Sequence, residues 1–372
     1  MKQEDMMKER ADDRRLNNID LLRFLFCMYV VYFHILHANI MPYVVGIPYY
    51  SQLADLVQVK DAFVVVEFFF LIGGFFLYRT ACRNIGGQSI FMIGMQKYFR
   101  LLPPLLPMIF GLVVYHHFSV ESMLTAISDL FLMRCVGVTL DCRGIIWYVS
   151  PFFYSSIFYC FLFSLMKRRA AVFTTGLISA LGYTFLVNYD CYFHRGTAYG
   201  IVSMGLIRAL AGLGAGILLA VFLEHFTRWQ EAFFPNRRLR GVIFSLVELG
   251  CAALLLSIFL FRAYSPNKFN VILLFSVLFC CFVLRFGVLS RLCDQPVFYY
   301  LGKYSYSIYV MQQISLTLLG FTLWRTPLVR YPVCCIAVSM LFSALVGAAV
   351  YYLIERPCFR WFMRRAGSVF AH

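Results

Sequence analysis

Ten long apolar stretches separated by short basic loops run through this sequence, at residues 19–37, 62–78, 101–116, 145–166, 170–188, 200–223, 241–261, 269–286, 306–324 and 333–354. Most are long enough to cross the roughly 30 Å hydrocarbon layer of a bilayer as helices, which satisfy their own backbone hydrogen bonds. The fold class that follows is all-α: a polytopic membrane protein of about ten transmembrane helices. The chain is 61% hydrophobic and only 14% charged, too little charge for a soluble protein of this length. Its 372 residues leave no room for a second, soluble domain. The third stretch is short and proline-rich, so a tilted or broken helix is expected there.

Orientation follows from the basic residues. A cytoplasmic N-terminus and alternating spans put most of the 33 Lys and Arg on the cytoplasmic side, as the positive-inside rule requires. Shifting the count by one would strand Lys167-Arg168-Arg169 outside. Both termini are therefore expected in the cytoplasm, with 1–17 as an N-terminal tail, 18–355 as the transmembrane domain and 356–372 as a C-terminal tail. The net charge of +15 then reports topology and contact with anionic membrane lipids; nucleic acid is not an expected partner. The first stretch contains Asp20 and Arg23 and lacks a small-residue cleavage site, so it reads as a retained span and not a signal peptide. Most of the 13 cysteines lie in or near spans, where cysteine acts as a small apolar residue. Cys135, Cys142 and Cys191 fall in outer loops, and a Cys135–Cys142 disulfide can form there in an oxidising compartment. No His/Cys spacing suggests a metal site. Glycines between 200 and 216 are read as positions of close helix approach.

Ionisable residues inside apolar stretches are costly and mark candidate functional positions. Arg23 and His34 are eleven residues apart, three helical turns and roughly 16 Å along one face. Arg23 can pair with Asp20 and snorkel to the interface, or hold an anionic group arriving from the cytoplasm. His34, with His37 nearby, can be a packing residue, or the group that moves a proton near neutral pH. Glu67 needs a partner or a proton, and His34 is the partner expected for it. Lys97 and Arg100 mark the cytoplasmic start of the third span, as anchors or as a phosphate-gripping pair. Arg208, inside the sixth span, needs a counter-charge or an aqueous cavity. His116 and Glu121 imitate a His-x4-acid spacing, but with Glu in the acidic place and on the outer side. Walker loops, dinucleotide fingerprints and Gly-x-Ser-x-Gly elbows are absent.

Several of these segments together resemble the acyltransferase 3 family of integral-membrane acyltransferases, which includes bacterial polysaccharide O-acetyltransferases. Asp20-Leu-Leu-Arg23 followed by His34 is similar to that family's Arg-x10-His signature. Glu67-Phe-Phe-Phe-Leu-Ile-Gly73-Gly74-Phe is similar to its acidic-x-Phe-Phe-x-x-Ser-Gly-Phe stretch, with Gly73 at the serine. Lys97-x-x-Arg100-Leu-x-Pro resembles its basic cluster, and Trp147-Tyr-Val-Ser150 its Trp-Ser-Leu-Ser, with Phe152 where a glutamate stands. Tyr304-Ser-Tyr306-Ser-Ile-Tyr309-Val-Met-Gln312 resembles a stretch that ends on histidine, here Gln312. Ile354-Glu355-Arg356-Pro357 matches a common ending.

The resemblance implies a multi-pass enzyme of the bacterial inner membrane, an O-acetyltransferase of polysaccharide biosynthesis. It would move an acyl group, usually acetyl, from cytoplasmic acetyl-CoA to a hydroxyl of a glycan or lipid-linked saccharide on the outer side. No permanently bound cofactor is implied; the acyl-CoA is the donor substrate. Arg23, Lys97 and Arg100 would hold the CoA head, and His34 would act as general base or transient acyl carrier. Glu67 would orient His34, while Trp147, Ser150 and Arg208 would contact substrate. Some members of the family carry a soluble hydrolase-like domain after the last span. This chain ends soon after its tenth, so acceptor recognition falls to the outer loops, a partner or the membrane cavity. The rival reading is a glycan or small-molecule transporter, which also needs intramembrane charge.

Overall fold

The computed structural model describes residues 15–36, 62–80, 82, 89–136, 146–189, 198–199, 202–260, 268–322 and 331–369; His37, Cys142, Cys191 and the loop 38–61 lie outside them. Helices α1 (Asn17–His34), α2 (Ala62–Thr80), α3 (Ile90–Tyr115), α4 (Val120–Leu130), α5 (Ile146–Leu165) and α6 (Arg168–Tyr189) make up the first half. A two-residue hairpin, β1 (Ala198–Tyr199) against β2 (Val202–Ser203), leads into α7 (Met204–Phe233). Then come α8 (Arg237–Leu260), α9 (Lys268–Leu284), α10 (Val288–Leu292), α11 (Pro296–Gly302), α12 (Ser305–Thr322) and α13 (Pro332–Val350). A π-helical turn, Tyr351–Glu355, continues α13 into α14 (Arg356–Val369).

A helix occupies each of the ten apolar stretches. Six of them, α3, α5, α6, α7, α8 and α13 with its continuation, are by themselves long and apolar enough to cross a membrane. Leu246, Leu341 and other large apolar residues on their outer faces are exposed, as lipid-facing positions require. The protein is therefore an all-α membrane protein, with one short hairpin among the described residues.

The third segment departs from expectation. Helix α3 is continuous and begins at Ile90, not at 101, with Pro103, Pro104 and Pro107 inside it. Hydropathy ends the span at Lys97 and Arg100, but both side chains face a cavity, so the helix tolerates their charge. Proline lacks an N–H, so it leaves carbonyls one turn earlier without a helical donor. The Tyr306 hydroxyl of a neighbouring helix adds a hydrogen bond to this stretch, donating to the Leu101 carbonyl at 2.6 Å. Expectation also put residues 117–144 in a loop, yet α4 forms within it.

Glycine fixes the centre of the bundle. A Cβ added to Gly74 of α2 would lie 2.0 Å from the Leu213 carbonyl oxygen, and one on Gly216 of α7 would lie 2.0 Å from that of Leu71. The two helices thus touch backbone to backbone, as small residues permit inside membranes. Ser203 begins α7 by accepting a hydrogen bond from Leu206 N at 3.1 Å and by donating to the Cys135 carbonyl. Cys135 is disulfide-bonded, to a residue outside those described.

The basic loops gather at one face. Arg168, at the start of α6, donates to Tyr78 near the end of α2 at 2.9 Å and pairs with Glu224 of α7. Arg285, after α9, pairs with Asp294 at 3.0 Å and donates to the Arg15 carbonyl. Arg15 stacks 3.4 Å over Tyr299 of α11. Asn18, buried at the start of α1, donates to the carbonyls of Phe282 at 2.7 Å and Ser290 at 3.1 Å. The ends of α2 and α9 and the starts of α1 and α6 therefore share one surface.

Candidate active site

Opening from that basic face is a cavity of about 980 Å³ between α1, α2, α3, α5 and α12, with Phe359 of α14 at its edge. Its charged lining consists of Arg15, Arg23, Arg79, Lys97 and Arg100 against the single acid Asp20. Arg23 pairs with Asp20 at 3.3 Å and Arg15 with the same carboxylate at 3.5 Å. Arg23 is thus paired with Asp20 and at the same time lines the cavity. The three residues expected to grip a phosphate-bearing head, Arg23, Lys97 and Arg100, meet in this one space. Arg15 and Arg79 join them. Their position follows from topology, because α2 ends where α1 and α3 begin.

The remaining walls are largely aromatic, with Phe69, Phe76, Tyr148, Phe152, Tyr306 and Tyr309. On α2 the lining runs from Arg79 back to Val66, roughly 20 Å at 1.5 Å per residue. The cavity is thus a basic mouth leading to an apolar shaft. Its volume is at the upper end of ligand pockets, which run to about 1,000 Å³.

Phe152 shapes the shaft. Its ring stacks on Tyr148 with centroids 5.7 Å apart, and the Lys97 ammonium lies 5.4 Å from its centroid. A Cβ on Gly73 would lie 2.3 Å from the Phe152 ring. The departures noted at 73 and 152 are therefore in contact: glycine makes the room that the ring fills. The third, Gln312, is fully buried, and neither end of its carboxamide has a hydrogen-bond partner among the described residues.

Four of the expected site residues are placed otherwise. Glu67 does not pair with His34. Its Oε1 accepts from Arg208 Nε at 2.7 Å and its Oε2 from the Tyr183 hydroxyl at 3.3 Å, with Glu67 and Arg208 both fully buried. The Arg208 guanidinium also sits 4.8 Å from the Trp147 ring centroid. Arg208 is thus buried and paired inside the protein, outside the lining of the large cavity. Two orphan charges of opposite sign, on adjacent glycine-packed helices, answer each other; that mutual need was the signal available in the sequence. Removing one partner of such a buried pair costs about 3–5 kcal/mol, because the other charge is left uncompensated. Trp147 and Ser150 are buried away from the cavity, and the Ser150 hydroxyl has no hydrogen-bond partner among the described residues. Helical register explains this: Tyr148 and Phe152, at i and i+4, share the cavity face, while Trp147 and Ser150 take another.

His34 is half-buried at the end of α1, its ring edge-on to Phe33 with centroids 5.3 Å apart. It does not line the cavity; it lies roughly 16 Å along α1 from Arg23. Between them the Cys27 thiol donates to the Ser305 carbonyl at 3.1 Å, which ties this face of α1 to α12. No group of metal-ligating side chains occurs among the described residues.

Comparison with known proteins agrees with this architecture. No curated protein and no solved structure matches the chain. The profile of an acyltransferase domain matches residues 16–353, nearly the whole chain. The polytopic helical architecture and that match identify the chain as a member of the acyltransferase 3 family, a membrane acyltransferase.

Proposed function

We propose that the protein takes an acyl group, acetyl in the first instance, from cytoplasmic acyl-CoA and transfers it to a hydroxyl of a glycan or lipid-linked saccharide across the membrane. In this reading the chain crosses the bacterial inner membrane ten times, with both termini in the cytoplasm. The observation that carries it is the cavity with a five-cation mouth and an aromatic shaft. A CoA thioester has the matching shape, a polyanionic head on a long thin arm. Arg and Lys suit the phosphates of the head, and the shaft suits the arm. Acyl transfer is favoured over export because the chain belongs to a family of acyltransferases.

His34 stands beyond the head-group contacts, on the same helix as Arg23. As general base it takes the proton of the acceptor hydroxyl while that oxygen attacks the thioester carbonyl. The tetrahedral adduct then collapses, the carbon–sulfur bond breaks, and the CoA thiolate leaves and takes up the proton. Glu67 has no part in this step, being committed to Arg208.

Purified protein supplied with acetyl-labelled acetyl-CoA and a panel of glycan acceptors tests the assignment. Native protein should label an acceptor, and His34→Ala should lower the rate by about 10²–10⁴-fold, the usual worth of a general base. Arg23→Ala should raise the KM for acetyl-CoA. Undiminished transfer by His34→Ala would remove that residue from the mechanism.

A further inference from the structure

A second cavity, of about 310 Å³, lies at the other end of α3 and is walled by α4 and α12. Helix α4 has 11 residues, about 16 Å of rise against a roughly 30 Å hydrocarbon layer, so it cannot cross. Ser119 caps it, accepting from Ser122 N at 3.2 Å. Its Val120, Met123, Leu124 and Ile127 are exposed. Its Glu121, Ser122, Thr125 and Asp129 point the other way, into the cavity. The helix thus turns its apolar side outward, as lipid requires, and its polar side onto the cavity. His116, Ser119 and Glu121 at its rim are exposed, so the cavity opens outward and its polar groups are free to bind a hydroxylated ligand in exchange for water. Gln313 of α12 and His116 add polar groups from the far walls.

The backbone is shaped to hold this arrangement. Of the five non-glycine residues with positive φ among those described, four flank α4: His117 at 51°, Phe118 at 55°, Leu132 at 55° and Cys135 at 60°. Such conformations are unfavourable for residues with a Cβ and gather where surrounding structure enforces them for function. The first pair folds α4 back against α3. The second carries Arg134 inward, where its Nε and Nη2 grip both oxygens of Asp129 at 2.7 and 2.6 Å.

Charge tells the two cavities apart. Arg134 is neutralised by Asp129, and Glu121 leaves the small cavity without positive excess, so it is unsuited to a phosphate or a CoA head. Carboxylate, carboxamide, hydroxyl and imidazole groups beside an apolar patch of Met108, Ile109 and Leu112 fit a neutral ring bearing several hydroxyls. The volume is at the small end of ligand pockets, near 300 Å³, which suits a single sugar unit. The two cavities also follow one another along the same helices. Arg100 and Tyr309 line the large one, Leu112 and Gln313 the small one.

We infer that this cavity is the acceptor site, taking one neutral saccharide unit with Glu121 and Gln313 as its main hydroxyl-binding groups. The inference rests on the acyl-transfer reading for its meaning, but its test does not. The full chain in lipid nanodiscs is examined by saturation-transfer NMR with the methyl and octyl glycosides of glucose, galactose and N-acetylglucosamine, and CoA binding is measured in parallel by calorimetry. At least one glycoside should bind native protein, and Glu121→Ala and Gln313→Ala should each weaken it about tenfold, as loss of a hydrogen bond to a charged or buried group does. Binding of CoA should be unchanged in both variants. Thr125→Val, a near-isosteric change on the same wall, should also weaken glycoside binding. Methyl glycosides that bind as well as octyl ones identify the sugar alone as the ligand; octyl glycosides that bind better point to a lipid-linked acceptor. Absence of glycoside binding by native protein, or binding indifferent to all three variants, would overturn the inference. Glycoside binding without CoA binding would uphold it and defeat the donor assignment instead.

Discussion

At the scale of single residues, the contact between Gly73 and Phe152 is the most informative in the large cavity. Each position departs from the pattern its segment resembles, and read singly each suggests weakened chemistry. In three dimensions they are one change, a ring seated where a side chain at 73 would be, with Lys97 against its face. Gly73→Ser should therefore overpack the shaft, destabilising the protein by about 1–3 kcal/mol and raising the KM for acyl-CoA. Phe152→Ala in the same chain should relieve it. A thermal-unfolding double-mutant cycle checks this, with a coupling of about 0.5–3 kcal/mol expected between touching residues. Strict additivity would show that the two substitutions are independent. The same scale shows why residue roles were only partly legible. That Arg23, Lys97 and Arg100 would meet in one space was readable because a basic residue near a span end has few places to point. Glu67 and Arg208, 141 positions apart, could be read as charges needing partners, but not as each other's.

At the scale of elements, glycine and proline carry information that hydropathy does not. The packing of Gly74 and Gly216 against opposing carbonyls sets α2 on α7, and that contact places Glu67 opposite Arg208. Gly216→Val would push the helices apart at the Leu71 carbonyl, lowering the midpoint of thermal unfolding by the equivalent of at least about 1–3 kcal/mol. The same change at Gly250, which has nothing near its Cβ position, should cost less, about 0.5 kcal/mol or below. Equal losses at the two sites would undo the packing argument. The early start of α3 was hidden from a hydropathy reading because its first turns carry Lys97 and Arg100 toward a cavity that only the tertiary fold creates. Helix α4 was hidden for a related reason: its polar residues face inward, so its composition resembles a loop.

At the scale of the whole molecule, the distribution of charge was legible from the start. The basic loops were expected on one side, and Arg15, Arg23, Arg79, Lys97 and Arg100, from three segments of the chain, do meet at one cavity. The cavities were not legible, since each is walled by segments far apart in the chain. Together they support the proposed arrangement: a donor held at a basic face, an acceptor at the opposite end of α3, and acyl transfer between them. Inverted membrane vesicles, with the cytoplasmic face outward, test this arrangement. Labelled acetyl-CoA, which does not cross the bilayer, is added outside, and acetylated saccharide is measured in the sealed lumen. Luminal label should accumulate with native protein and fall at least about tenfold when Lys97→Gln and Arg100→Gln together remove two head-group contacts. Label confined to the outer compartment, or luminal label indifferent to those substitutions, would contradict it.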